Sequence, residues 1–322
     1  MARHQPAPKP SLVHLGLGAF FRSHGALVIE EAMQVAGGDW GIIGASLRSP
    51  DIRDRLAAQD FVYTAVEIAP EGPNRRIVNV LGDVIFAPEI PDMLIEQMAH
   101  PSIRIVSLTV TEKGYCHVPS TGALDVDHSD IQHDIRNTKP RSAIGFIVRA
   151  LQERYRKGLR PFTVLSCDNL PDNGRVTRNA VIGLAEAIDP ELAAWIAEEV
   201  CFPSTMVDRI VPAMTEQNIA TLAADAGYLD QAPVFHEPFL QWVIEDDFVD
   251  GARPHFELVP GVQMVSDVAP FEFMKIRMLN GAHSALAYLG YLAGHETIAE
   301  TVTNPIFQKF IRKVWSSEII PT

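Results

Sequence analysis

The sequence lacks several features that would assign the protein to particular classes. No apolar run approaches the ~18 residues of a membrane-spanning helix, and the polar, proline-rich residues 1–11 have no signal-peptide core. Only three cysteines are present, widely spaced, which favours reduced thiols over a disulfide framework. Basic residues are also scarce, since 27 Lys and Arg face 40 Asp and Glu, for a net charge of −13. We therefore expect a cytoplasmic protein that binds neither nucleic acid nor an anionic membrane.

The remaining composition and patterning favour a globular α/β protein. The chain has 322 residues, of which 47% are apolar, enough for a large core and for two domains. Strand and helix patterns alternate up to about Val268 and then give way to helix alone. This predicts a Rossmann-like doubly wound sheet over residues 1–268, followed by the start of an all-helical C-terminal domain over residues 269–322.

Apolar periodicity and turn residues place the individual elements. Strands are expected at 11–15, 41–45, 61–67, 76–80, 103–110, 162–167, 234–243 and 256–265. Helices are expected at 20–36, 91–99, 142–157, 175–188, 190–200, 271–290, 296–302 and 305–316.

A glycine turn follows the first predicted strand. Gly16 permits a tight turn and Gly18 permits close approach of phosphates, in the strand–turn–helix layout that binds a pyrophosphate at a helix start. The third glycine of the usual dinucleotide fingerprint is replaced by Phe21, so an ordinary turn remains an alternative. After the second strand, Asp51 is placed to bind the adenosine ribose of NAD, while Arg48 beside it would instead meet the 2′-phosphate of NADP. NAD is the first choice, and NADP stays open.

Polar residues also follow two later strands. Thr109 ends the predicted strand 103–110, and Asn169 follows the strand 162–167. Ligands bind at the carboxyl ends of strands in such sheets, although the Asn-, Asp- and Pro-rich stretch 166–174 also suits a plain turn. Asp208 and Arg209 lie together in an apolar setting, where a structural ion pair and a ribose contact are both open.

The segment 271–290 reads as a buried helix that carries unexpected polar residues. At roughly 100° per residue, Glu272, Lys275, Asn280 and His283 fall on one face. Burying such a set is costly unless the groups satisfy one another or have a function. A buried lysine holds its proton less tightly and can act as a general base, and an amide can donate to a developing oxyanion. The alternative is a snorkelling lysine with a satisfied core histidine.

Residues 125–134 hold four aspartates and two histidines. This composition admits a metal site, but no spacing fixes a ligand geometry. We expect a solvated loop that leads into a helix, and no metal.

Five segments together resemble the mannitol dehydrogenase family of polyol-specific long-chain dehydrogenases. They are residues 14–22, 109–115, 166–169, 206–209 and 275–283. The resemblance covers the chain from Leu12 onward, and the combination of Lys275, Asn280 and His283 is its most specific part.

This resemblance implies metal-independent hydride transfer between a nicotinamide and the secondary alcohol of an open-chain sugar acid or polyol. Two branches of the family match: residues 279–284, 287–294 and 296–305 resemble the branch that acts on a sugar acid, and residues 47–51 resemble the branch that acts on mannitol. Family members continue into a larger helical domain, so a truncated gene or a fragment is also expected. The resemblance gives these roles: Lys275 as general acid or base, Asn169 and Asn280 on the reacting oxygen, His283 on a substrate hydroxyl, Glu272 as relay, Gly16, Gly18, Ala19 and Phe20 on the pyrophosphate, and Asp51 and Asp208 on the two riboses.

Two other hypotheses compete with the redox enzyme. A catalytically silent nucleotide-binding protein would bind the cofactor without turnover. A metal-dependent lyase or hydrolase would use residues 125–134 and would lose activity on chelation.

Overall fold

A computed structural model of the protein describes residues 1–321. The chain divides into two compact units, Met1–Ser266 and a second that begins at Asp267, and each is described by itself. The strands are β1 (Pro10–Leu15), β2 (Gly41–Ser46), β3 (Tyr63–Ala69), β4 (Gly72–Val78), β5 (Leu81–Phe86), β6 (Ile105–Leu108), β7 (Thr163–Ser166), β8 (Thr205–Asp208), β9 (Val234–His236), β10 (Gln241–Glu245) and β11 (Val262–Val265).

Helices cover the sheet of the first unit and make up most of the second. They are α1 (Ala19–Ser23), α2 (Gly25–Ala36), α3 (Asp51–Ala57), α4 (Pro91–Ala99), α5 (Ser129–Arg136), α6 (Ala143–Arg156), α7 (Asn173–Ile188), α8 (Pro190–Glu199), α9 (Glu216–Ala226), α10 (Ala269–Met274), α11 (Gly281–Leu292), α12 (Ile298–Thr303) and α13 (Pro305–Val314).

The centre of the first unit is a five-stranded parallel sheet in the order β5-β2-β1-β6-β7. Its strands are apolar on both faces, as the uniformly buried β2 and β6 illustrate, because helices cover the sheet on each side. From β1 the chain first builds outward through β2 and β5, then returns to place β6 on the other side of β1. This reversal makes the carboxyl ends of β1 and β6 the topological switch point. The predicted α/β fold is confirmed.

Two small mixed sheets complete the first unit. One has the order β4-β3-β9 and the other β11-β10-β8. The buried amide of Asn173 links β8 of the second small sheet to the loop after β7, because its Nδ2 donates to the carbonyls of Asp168 and Thr205 at 2.9 Å each, and its Oδ1 accepts from the Thr205 N–H at 2.9 Å.

Several predicted elements of the first unit were too long. The predicted strand 234–243 is two strands, β9 and β10, with Pro238 between them, and the predicted strand 256–265 is a 3₁₀ turn followed by β11. Pro260 has no N–H, and Gly261 has φ of +87°, so the chain turns there. The predicted helix 20–36 breaks at His24, where φ is −126° and ψ is −90°. The elements α3, β5, β8 and α9 were not predicted.

The second unit is helical, as predicted, but its first helix is not uniform. α10 continues into a π-helical segment, Lys275–Asn280, before α11 begins, and a second π-helical segment, Trp315–Ile319, follows α13. The Trp315 Nε1 donates to the carbonyl of Met278 at 3.1 Å. A small core of Ala282, Leu286 and Ile311 holds α11 and α13 together.

Burial along α10 and α11 also differs from the prediction. Within residues 271–290, only Lys275, Ala282, Leu286 and Gly290 are buried. Farther along, Tyr291 and Leu292 are each 80% exposed. The segment is helical as predicted, but most of it is not buried, contrary to the prediction. Within residues 1–321, no helix has both the length and the apolar content that crossing a bilayer requires.

Candidate functional site

A cleft of about 560 Å³ lies at the switch point of the main sheet. The loops after β1, β2 and β6 and the start of α6 line it, so the carboxyl ends of three parallel strands meet there. Four predicted cofactor residues, Gly16, Gly18, Arg48 and Thr109, line this cleft. Its volume lies in the range of small-molecule sites.

The cleft is locally basic, although the protein as a whole is acidic. Among the described residues that line it, Arg48, Lys113 and Arg141 carry positive charge, and Asp130 is the one carboxylate. A concave site with such a balance attracts an anionic ligand against the field of a chain with net charge −13.

The two glycines of the turn have different roles. Gly16 has φ of +90°, and a Cβ there would lie 2.2 Å from the carbonyl oxygen of Thr109. The N–H groups of Gly16 and Leu17 both donate to the carbonyl of Ala45, at 2.9 and 3.2 Å, so the turn is fixed to β2. A Cβ on Gly18 would have its nearest neighbour at 3.8 Å. Gly16 therefore permits the fold, while Gly18 leaves open space beside the cleft.

His14 supports this turn from below, a role that the sequence analysis missed. Its Nδ1 lies 2.8 Å from the Ser107 Oγ and its Nε2 lies 2.9 Å from the Thr109 Oγ1. The Thr109 hydroxyl donates to the carbonyl of Gly16 at 2.9 Å, so it accepts from His14, which places the ring proton on Nε2. Burial lowers the pKa of His14 to about 3, so the ring is neutral.

Phe21, which replaces the third fingerprint glycine, lies over the His14 ring. The two ring centroids are 3.3 Å apart and the planes differ by 6°. Close packing is preserved at Gly25 instead, where a Cβ would lie 2.6 Å from the Phe21 ring. A glycine four residues after Phe21 was the sequence signal that an aromatic residue can replace the third fingerprint glycine here.

At the carboxyl end of β2, the residues that line the cleft are only partly those predicted. Ser46 is 5% exposed, lines the cleft, and its Oγ has no hydrogen-bond partner among the described residues. Such a buried hydroxyl is normally satisfied, so the position suits a polar ligand. Arg48 also lines the cleft, whereas Asp51 begins α3 and is outside the described lining residues. The sequence analysis missed Ser46, because a serine at a strand end carries no distinctive signal.

The other predicted residues of the first unit lie outside the described lining of the cleft. Ala19 is exposed at the start of α1, and Phe20 stacks on His24 with a centroid distance of 5.0 Å. Asn169 is exposed in the loop after β7, and Asp208 ends β8 opposite Gln241. Arg209 donates to three backbone carbonyls, those of Ser23, Pro238 and Phe239.

The predicted catalytic residues of the second unit are not buried together. Lys275 is 8% exposed and begins the π-helical segment, while Glu272 and Asn280 are partly buried and His283 is exposed. The expected common buried face is therefore wrong for three of the four. The first helix of this unit is largely uncovered, because the described core beside it consists of Ala282, Leu286 and Ile311. Lys275–Asn280 is π-helical, with i→i+5 hydrogen bonds. Such segments are frequent at functional sites.

Residues 125–134 hold a helix start in place. The His128 Nδ1 accepts from the Asp130 N–H at 3.2 Å. The buried Asp134 accepts from the N–H groups of Arg141 and Ser142, at 2.8 and 3.0 Å, before α6. Among residues 1–321, no group of three or more His, Cys, Asp or Glu side chains is arranged to hold a metal ion.

A doubly wound sheet with a glycine turn and a basic cleft at its switch point defines a nucleotide-binding α/β protein. Comparison with known proteins narrows this class. The model of the mannitol dehydrogenase Rossmann domain matches residues 10–258, and that of the mannitol dehydrogenase C-terminal domain matches residues 267–322. The chain belongs to the mannitol dehydrogenase family.

Individual relatives agree with this assignment. The chain is 49% identical to the D-mannonate oxidoreductase of Escherichia coli over 97% of its own length and 65% of that protein. A substrate-free crystal structure of D-sorbitol dehydrogenase superposes with a TM-score of 0.92 at 41% identity, covering 98% of this chain and 66% of that one. The mannitol 2-dehydrogenase of Pseudomonas fluorescens, in ternary complex with NAD and D-mannitol, gives 0.88 at 42% identity, covering 98% and 64%. The chain thus spans about two thirds of the length of the proteins it matches.

The two glycines of the turn make a matched pair for mutation. Gly16→Ala should lower the free energy of unfolding by at least about 2 kcal/mol, because it combines a positive φ with a clash against backbone. Gly18→Ala should cost less than about 1 kcal/mol, since its φ is ordinary and the space is open. Urea denaturation of both variants measures the difference. Equal losses would contradict the distinct roles assigned here.

The buried neutral His14 predicts a pH dependence of stability. Its pKa is lowered in the folded protein to about 3, so between that value and its ordinary 6.5 the unfolded chain binds the extra proton. The neutral ring therefore contributes to the free energy of unfolding above pH 6.5. This contribution is lost as the pH falls, by up to about 1.4 kcal/mol per pH unit. Between pH 6.5 and 5, His14→Asn should therefore show a shallower fall in unfolding free energy than the wild type.

The control for this measurement is His4→Asn, which changes an exposed histidine near the chain start. It should keep the wild-type slope. Some slope will remain in His14→Asn, because burial also lowers the pKa of His236. Identical slopes in the wild type and His14→Asn would show that His14 is not held neutral.

Proposed function

We propose that the protein is an NAD-dependent, metal-independent oxidoreductase that interconverts a secondary alcohol and a ketone in an open-chain sugar acid or polyol. The observation that carries the proposal is the basic cleft at the switch point. It is lined by the Gly16–Gly18 turn and by the hydroxyl of Ser46, which has no hydrogen-bond partner among the described residues. Family membership supports the reaction class.

The residues of the cleft fit a dinucleotide. The open space at Gly18 admits the pyrophosphate next to backbone N–H groups, and Arg48 adds positive charge. Ser46 offers the adenosine end a hydroxyl that both donates and accepts. Asp51 follows in α3 and, together with Asp208, stays the predicted ribose partner. When bound, NAD accepts the hydride from the alcohol carbon.

Residues of the chain itself would transfer the hydroxyl proton and stabilise the reacting oxygen. Lys275, in its neutral form, takes the hydroxyl proton on its Nζ during oxidation, and in the reductive direction it returns this proton. Asn280 and Asn169 donate side-chain N–H groups to the reacting oxygen and stabilise the developing negative charge. His283 orients a neighbouring substrate hydroxyl, and Glu272 exchanges protons with Lys275. The burial of Lys275 at the start of a π-helical segment supports this assignment.

Two substrates have comparable support. Similarity to D-mannonate oxidoreductase favours the D-fructuronate/D-mannonate pair, and similarity to mannitol 2-dehydrogenase favours fructose and mannitol. Steady-state assays with fructuronate, tagaturonate and fructose, each with NADH and NADPH, decide between them. Turnover of a keto acid but not of fructose supports the first pair, and the reverse supports the second. Loss of activity on chelation would contradict metal independence.

A nucleotide-binding protein without turnover is the second candidate. The exposure of His283 favours it, because an orienting side chain in water has little positional control. Titration of NADH by fluorescence, run beside the assays above, separates the two. Binding without turnover on any of these substrates would replace the enzyme by this second candidate.

Substitution of Lys275 tests the assigned chemistry. Lys275→Ala should lower kcat by at least about 100-fold, because the general acid or base is removed, and should leave the dissociation constant of NADH within about threefold. The matched control is Lys309→Ala, an exposed lysine of α13 that should leave both quantities unchanged. Weakened NADH binding with turnover preserved at saturating cofactor would contradict the role of Lys275.

A further inference from the structure

A strained turn forms one wall of the cleft. Thr109, Val110 and Thr111 follow β6 and line the cavity. Thr111 has φ of +64° and ψ of 163°, a region that is almost confined to glycine. A threonine stays in such a conformation only where its surroundings hold it there.

One carboxylate holds this turn. The Asp168 Oδ2 accepts from the Val110 N–H at 2.9 Å, and its Oδ1 accepts from the Thr111 N–H at 3.0 Å. The Tyr115 hydroxyl donates to the same Oδ2 at 2.7 Å. Because its proton is used there, it accepts from the Ser166 hydroxyl, with 2.5 Å between the two oxygens. Hydrogen bonds to an ionised carboxylate are the strong kind, and three of them converge here.

Asp168 is itself anchored to the sheet. It lies two residues after the end of β7, and its carbonyl accepts from the buried amide of Asn173 at 2.9 Å. The carboxylate therefore connects the end of β7 to the turn that follows the neighbouring strand β6. Residues 109–111 also contact the glycine turn, because the Thr109 hydroxyl donates to the carbonyl of Gly16.

We infer that Asp168 is a positioning residue of the cofactor cleft, which holds Thr111 in its strained conformation and so fixes the wall against which the nucleotide lies. The residue beside it, Asn169, is a predicted catalytic residue, so the same anchor also sets where that loop begins. The inference rests on the proposed function only for its choice of ligand, NADH.

The main test is Asp168→Asn. The amide has the size of the carboxylate, but its NH₂ group faces a backbone N–H and cannot accept from it. We expect the dissociation constant of NADH to rise at least about tenfold, as the turn relaxes from its strained conformation. Asp230→Asn is the matched control, because Asp230 is also buried and accepts three hydrogen bonds, from Gln59, Thr64 and Ala232, outside the cleft. It should lower Tm yet leave NADH binding within about threefold.

A rescue separates positioning from general stability. Glycine adopts the conformation of Thr111 without strain, so Thr111→Gly removes the need for the anchor. The double variant Asp168→Asn/Thr111→Gly should bind NADH at least about threefold more tightly than Asp168→Asn alone. Absence of rescue, or equal weakening by Asp230→Asn, would overturn the inference.

Two further measurements keep the result decisive. If Asp168→Asn does not fold, Tyr115→Phe removes one of the three donors and should still weaken NADH binding about threefold; unchanged binding would overturn the inference.

Amide hydrogen exchange at Val110 and Thr111 gives a readout that needs no ligand. Both amides should be protected in the wild type and should exchange faster in Asp168→Asn or Tyr115→Phe, and unprotected wild-type amides would overturn the inference. Failure of the wild type to bind NADH would refute the proposed function alone.

Discussion

The contact between Gly16 and the carbonyl of Thr109 is the constraint on which the cleft depends. These two residues directly follow the adjacent parallel strands β1 and β6, and there is no room for a side-chain carbon between them. Because the backbones are so close, the loop after β1 must turn sharply toward β2, where its N–H groups meet Ala45. The neutral His14 below and the carboxylate of Asp168 to the side hold this junction without placing a net positive charge in the core.

Charge is distributed unevenly over the molecule, and this distribution complements the geometry. A chain with net charge −13 repels anions at long range, yet Arg48, Lys113 and Arg141 border the cleft at the switch point. A nucleotide is then attracted chiefly at short range, where the low dielectric of the cleft strengthens each interaction.

Much of the fold was readable from the sequence, because its signals are local. The strands β1, β2, β6 and β7 are short and mostly apolar, and Pro91 and Pro190 mark helix starts at the predicted positions. Pro238 and Pro260 were equally visible, and their neglect explains the overlong strands. The roles of His14, Ser46 and Asp168 were not readable, because each depends on partners that only the tertiary fold brings near. The exposure of His283 was missed for another reason, since a helical projection gives the direction of a side chain and not whether another element covers it.

The π-helical segment at Lys275–Asn280 has a consequence for how this stretch can change. It holds more residues per turn than the α-helices on either side, because its backbone hydrogen bonds follow the i→i+5 pattern. A deletion of a single residue there would restore an ordinary α-helical ladder and at the same time rotate everything downstream by about a quarter turn relative to Lys275. The number of residues at this point therefore sets the angle between Lys275 and the side chains of α11.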